Sequence, residues 1–257
     1  MNILISNDDG YFSEGIQALR DAISNAGHRV FLVAPDRDYS ACGMSITVRS
    51  PITVREIGVD QYAVSGTPVD CVALALGGLL KSPIDMVVSG INNGANLCDD
   101  VLYSGTVAAA MEGRRLTLPS LAMSIPATRP QHYSTATAIA VDLIENITSF
   151  PTESDISVLN VNVPDVPLSN LKGIRSTILG RRAAPVPHEE KMTEKGVKQC
   201  LIGAVGEFES IDNNDSLFDF QLVEQGYVSL TPLKAELFNR GYHQVCERWL
   251  ASESNFS

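Results

Sequence analysis

Short apolar runs alternate with helix-spaced apolar residues from the N-terminus to Leu159, and this alternation constrains the fold more than any other feature. Residues 2–6 form a buried-strand type of run. From Ile16 the spacing turns helical through Leu19, Ile23 and Ala26, and Gly27 closes it. Residues 30–34 read as a second strand, stopped by Pro35. Residues 46–48 and 52–57 flank Ser50-Pro51 and read as a hairpin or an excursion. Thr67-Pro68-Val69-Asp70 starts a helix that runs to about Leu80: Thr67 caps, Pro68 fits the first turn, and Asp70 closes a capping box. Strands at 86–89, 121–124 and 156–159 then alternate with helices at 106–113 and 132–147. Such a series predicts a parallel sheet covered on both faces, in a three-layer αβα, Rossmann-like arrangement.

After Leu159 the pattern loosens. Residues 172–198 hold seven basic residues against Glu189, Glu190 and Glu194, and Pro185 and Pro187 argue against helix there. The basic run reads as a solvated face or as a lid over an anionic substrate. A short helix at 219–224, a strand at 227–230 and an amphipathic helix at 243–250 follow. We expect one domain, with an α/β core over 1–165 and an extended or exchanged subdomain over 166–257.

With 19 Lys+Arg against 30 Asp+Glu, the net charge of −11 argues against polymeric nucleic acid or anionic membrane as a partner. No apolar stretch approaches the ~20 residues that span a bilayer. The five cysteines are odd in number and show neither CxxC nor zinc-finger spacing, and the first residues do not read as a signal peptide. The expectation is a cytoplasmic protein. His28, His132, His188 and His243 show no metal spacing.

Three strand or helix ends carry chemistry. Ser6-Asn7-Asp8-Asp9-Gly10 puts two adjacent carboxylates at the end of the first strand, where parallel sheets bind ligands. Two ionised carboxylates ~5 Å apart repel by ~3 kcal/mol at an effective dielectric of ~20, so one is protonated or a cation joins them. The same residues also make a good solvated turn. Ser89 to Asn96, Gly/Asn-rich, follows another strand and adds oxygen ligands, or is simply a polar loop. Carboxylate, amide and hydroxyl oxygens suit Mg²⁺ or Mn²⁺ better than zinc. Tyr103-Ser104-Gly105-Thr106 opens an Ala-rich helix whose free N–H groups and dipole can hold phosphate, or forms an ordinary N-cap.

As an ordered set, Asn7-Asp8-Asp9-Gly10, Ala34-Pro35-Asp36-Arg37, residues 66–71, Val88-Ser89-Gly90-Ile91-Asn92 and residues 103–113 resemble the SurE nucleotidase family. Residues 159–164 and 226–233 extend the resemblance over nearly the whole chain. The resemblance implies a metal-dependent phosphatase acting on nucleoside 5′- and 3′-monophosphates, with short polyphosphate as a further substrate of some members. It places one divalent cation per subunit, Mg²⁺, Mn²⁺ or Co²⁺, on Asp8, Asp9, Ser40 and Asn92; spacing alone would not select Ser40. Phosphate or substrate contacts fall on Asn7, Asn96, Ser104, Gly105 and Thr106. In this reading the cation polarises the phosphoryl group and activates a water, and either Asp8 or Asp9 accepts its proton. It also implies a homodimer or homotetramer exchanging C-terminal segments. Ala41 and Cys98 stand where the family commonly has Gly, which tests the local turns if those positions need positive φ. The rival readings are an exopolyphosphatase or broad-specificity phosphatase, and a non-catalytic nucleotide- or metal-binding protein.

Overall fold

A computed structural model describes residues 1–150, 158–203, 206–209 and 217–252. The first half runs β1 (Asn2–Ser6), α1 (Glu14–Asn25), β2 (Arg29–Pro35), β3 (Val54–Gly58), β4 (Gln61–Val64), α2 (Pro68–Leu74) and β5 (Met86–Asn93). It continues with α3 (Gly105–Glu112), β6 (Ser120–Ile125), α4 (Tyr133–Asn146) and β7 (Val158–Asn162). The strand expected at 156–159 is β7; its first two residues lie outside the described residues. The second half holds β8 (Ile174–Ser176), β9 (Arg181–Arg182), β10 (Glu189–Met192), β11 (Lys198–Leu201), β12 (Phe208–Glu209), α5 (Asp219–Glu224), β13 (Val228–Leu233) and α6 (Arg240–Ser252).

The central sheet has the order β3-β4-β2-β1-β5-β6-β7-β13-β8. Strands β4, β2, β1, β5, β6 and β7 are mutually parallel. From β1 the chain winds outward to β2 and β4, then returns to β5 and winds the other way through β6 and β7. The winding therefore reverses between β1 and β5. In such a sheet the strand ends at this reversal splay apart and leave a crevice for ligand.

Side-chain alternation explains why both faces must be covered. Ile3 and Ile5 of β1 join Ile16, Leu19, Ile23, Ala136 and Ile144 in the cluster under α1 and α4. Leu4, one residue out of phase, packs with Phe31, Val33, Cys71, Val72 and Ala109 under α2 and α3. The predicted cap of α2 is present: Thr67 Oγ1 accepts from the Asp70 amide at 3.1 Å, and the Asp70 carboxylate accepts from the Thr67 amide at 2.9 Å. Strands β13, antiparallel to β7, and β8, parallel to β13, extend the sheet from the second half.

Of the two readings for residues 46–57, the hairpin is not formed and the excursion stands: residues 46–48 form no strand, and the partner of β3 is β4, reached across a turn in which Asp60 has φ 59°. The reason lies at Asp70, which is buried. Its carboxylate accepts from the Thr47 amide at 2.7 Å and from Thr47 Oγ1 at 2.8 Å. The 45–47 segment thus serves the start of α2, and its amide is withdrawn from any ladder.

Ala41 and Cys98, the two residues standing at common Gly positions, have φ 61° and 54°. Each therefore holds a left-handed conformation that costs a residue with a Cβ ~1–2 kcal/mol. Ala41 is exposed, so Ala41→Gly should stabilise the protein by ~0.5–1 kcal/mol, seen as a raised urea midpoint. Cys98 is fully buried against Leu97, Phe218 and Phe220, so Cys98→Gly should instead lower that midpoint.

Candidate functional site

The mouth of the crevice is built on the turn after β1. Asn7 is buried, and its Nδ2 donates to the Gly10 carbonyl at 3.0 Å and to Ser13 Oγ at 2.8 Å. Its Oδ1 accepts from the Gly10 amide at 3.2 Å, closing the turn. Gly10 has φ 97°, and a Cβ there would sit 3.1 Å from the Arg37 backbone. This closed turn aims Asp8 and Asp9 out of the strand.

Each carboxylate is then tied to a different element. Asp8, only 4% exposed, accepts from Thr106 Oγ1 of α3 at 2.5 Å. Its backbone carbonyl accepts from the Tyr39 amide at 2.8 Å, which draws in residues 38–40. Asp9 Oδ2 accepts from the Asn93 amide at the end of β5, at 3.1 Å. Asp38 Oδ1 accepts from the Ser40 amide at 2.7 Å and from Ser40 Oγ at 2.6 Å. Asn92 is anchored by Nδ2 to the Gly94 carbonyl at 3.1 Å, so Oδ1 is the end that could ligate a cation. Asp8, Asp9, Ser40 and Asn92 thus stand on three segments that meet at the β1–β5 reversal.

The helix start lies beside them. Ser104 caps α3, its Oγ accepting from the Val107 amide at 3.0 Å. A Cβ on Gly105 would fall 2.7 Å from Asp8 Cβ and 2.9 Å from its Oδ2, so only glycine lets α3 come this close. Asn96 is buried and locked into the ends of β6 and β7. Its amide donates to Asn162 Oδ1, and its carbonyl accepts from Asn160 Nδ2 and Asn162 Nδ2. Its Nδ2 donates to Ser124 Oγ at 2.7 Å.

Burial is the main electrostatic force here. It raises the Asp8 carboxyl, against a lowering contribution from the Thr106 hydroxyl. It also raises Asp9 to about 6, helped by the negative charges of Asp8 and Asp38 and opposed by the Asn93 amide. Among the described residues, none of Asp8, Asp9 and Asp38 forms an ion pair with Lys, Arg or His. An all-oxygen donor set, crowded carboxylates without a protein cation and a glycine-cleared wall together fit a hard divalent cation.

Similarity to known proteins shows the family. Residues 3–185 match the family model for Survival protein SurE. The chain is 46% identical to the 5′-nucleotidase SurE of Halorhodospira halophila, over 97% of this chain and 98% of that one. It is 44% identical to the 5′-nucleotidase SurE of Haemophilus ducreyi, over 92% and 95%. The crystal structure of the SurE protein from Aquifex aeolicus superposes with a TM-score of 0.83 at 38% identity, covering 97% of this chain and 99% of that one. The chain belongs to the SurE family.

Within this SurE chain, several residues at the site had no signal in the motifs. Asp38 is an exposed acid in a loop, and Asn93 acts through its backbone. Asn160 and Asn162 carried a usable signal: two amides, two residues apart, in a strand whose residues are all buried. The basic run of 172–198 is broken up. Arg182 pairs with Asp100 and lies over the Phe208 ring, and Arg175 lies over the Tyr227 ring.

The folded pKa of Asp9, about 6, lies above the unfolded value of ~3.9. Its contribution to stability is therefore complete below ~3.9 and is lost as pH rises through about 6. In EDTA, the stability of Asp9→Asn relative to the native protein should rise between pH 5 and pH 7.5. Thermal unfolding at both pH values checks this. Gly105→Ala should cost ~1–3 kcal/mol in urea unfolding and weaken divalent-cation binding, because α3 must move off Asp8.

Proposed function

We propose that this chain is a divalent-metal-dependent phosphomonoesterase that hydrolyses nucleoside 5′- and 3′-monophosphates to nucleoside and phosphate. The observation that carries this reading is the pairing of an all-oxygen carboxylate cluster with a capped helix start at the β1–β5 reversal. The names of the relatives supply the nucleotide 5′-phosphate as substrate class.

Asp8, Asp9, Ser40 and Asn92 would hold the cation, Mg²⁺, Mn²⁺ or Co²⁺. When bound, it would supply Lewis-acid stabilisation of the phosphoryl oxygens and lower the pKa of water. Thr106 holds Asp8 in place through its hydroxyl, which leaves the N-terminal amides of α3, with Ser104 and Gly105, facing the phosphate position. Asn96 contributes rigidity, because both of its backbone groups are fixed by Asn160 and Asn162. Asn7 acts by shaping the carboxylate turn rather than by touching substrate. Asp9, half-buried where Asp8 is buried, is the carboxylate better placed to accept a proton from water.

Exposed Tyr242, Val245, Trp249 and Leu250 on α6 favour a homodimer or homotetramer built through this helix. No helix among the described residues is long and apolar enough to cross a membrane, and the five cysteines are free, which favours a reducing, cytoplasmic location.

Phosphate release from AMP, 3′-AMP, polyphosphate and p-nitrophenyl phosphate, each with Mg²⁺, Mn²⁺, Co²⁺ or EDTA, tests the reading. Nucleoside monophosphates should be the best substrates and EDTA should abolish release. Asp9→Asn should lose at least ~100-fold in kcat/KM, and Thr106→Val ~10–100-fold. Full activity of Asp9→Asn, or nucleotide binding without turnover under every metal, would overturn it.

A further inference from the structure

The β10–β11 hairpin gathers three ligand types that the linear sequence separates. The two strands pair antiparallel, with Glu190 opposite Cys200 and Met192 opposite Lys198. The Thr193 amide donates to the Val197 carbonyl and the Gly196 amide to the Thr193 carbonyl, both at 2.9 Å, with Gly196 at φ 70°. This is a three-residue turn with a glycine bulge. Counting back from the hydrogen-bonded Thr193–Val197 pair, Glu190 and Cys200 form a non-hydrogen-bonded pair, the kind whose side chains lie closest. His188, two residues before Glu190, falls on the same face. One ligand atom from each of His188, Glu190 and Cys200 lies within 4.8 Å of the other two.

We propose that His188, Glu190 and Cys200 form a second metal site, taking a borderline divalent cation of the zinc class. The donor set differs from that of the carboxylate site in the property that matters. An imidazole nitrogen, a thiolate and one carboxylate suit Zn²⁺ and Co²⁺, whereas an all-oxygen set suits Mg²⁺ and Mn²⁺. Three protein ligands leave a fourth, tetrahedral position to water.

Two further observations support the site. Glu190 is already surrounded by donors: His188 Nε2 lies 2.9 Å from Oε1 and Lys198 Nζ lies 2.8 Å from Oε2. The cation would take the place of the Lys198 ammonium and release the Cys200 thiol proton to solvent. The hairpin also lacks a core. Every residue of β10 and β11 is exposed, and a two-stranded hairpin is marginal in water without packing. A cross-strand metal supplies the link that packing does not.

Cobalt spectroscopy on the metal-free, reduced protein tests the site. Titration with Co²⁺ should give a near-ultraviolet thiolate-to-cobalt charge-transfer band in the native protein, and Zn²⁺ should bleach it. The band should persist in Asp9→Asn, whose carboxylate site is impaired, and in Cys246→Ser, and disappear in Cys200→Ser. His188→Ala should weaken the Co²⁺ titration at least tenfold, while Lys198→Met should tighten it. Phosphate release by Cys200→Ser with Mg²⁺ should equal that of the native protein, which separates this site from the phosphatase reading. Absence of the band in the native protein, or its survival in Cys200→Ser, would overturn the proposal.

Discussion

A carboxylate buried at the end of a parallel strand sets the terms for everything around it. Asp8 loses hydration on burial, and no Lys, Arg or His among the described residues pairs with it or with its neighbours Asp9 and Asp38. Hydrogen bonds hold it instead, and each comes from a different part of the chain. Thr106 fixes α3 to it, the Tyr39 amide fixes the loop bearing Ser40 to its carbonyl, and the Asn93 amide fixes the end of β5 to Asp9. The carboxylates are thus the common anchor of three segments, and the winding reversal of the sheet is what brings those segments within reach.

The core of the fold was legible because its signals are local. Apolar spacing located α1 and α4, the Ser-Gly-Thr start located α3, the capping box located α2, and uninterrupted apolar runs located β1, β2, β5, β6 and part of β7, whereas the parallel strand β4, which includes Gln61 and Tyr62, was missed. What failed was pairing. Ile46 and Val48 look like strand residues, but the fate of that segment is decided by buried Asp70, a residue far along the chain. Likewise, nothing local says that β13 inserts between β7 and β8, or that β10 and β11, with wholly exposed strands, pair at all.

The site divides along the same line. Asp8, Asp9, Ser104 and Thr106 could be picked out as candidates because a strand end and a helix start have characteristic local chemistry. Ser40 reaches the site through the Tyr39–Asp8 backbone bond and an Asp38 contact, so only family resemblance singled it out. Asn7 reads as a substrate contact from its place beside the carboxylates, and the structure shows its amide engaged with Gly10 and Ser13. His188 and Cys200 had no recognisable spacing because cross-strand register, not sequence distance, brings them together.

The missing side chain at Gly105 acts as a gauge. Helix α3 is stopped by direct contact with Asp8, at a separation that even a methyl group would widen. The distance from carboxylates to helix start is therefore fixed by atomic radii rather than by the lengths of the connecting loops. The calibration of the site is carried by one hard contact.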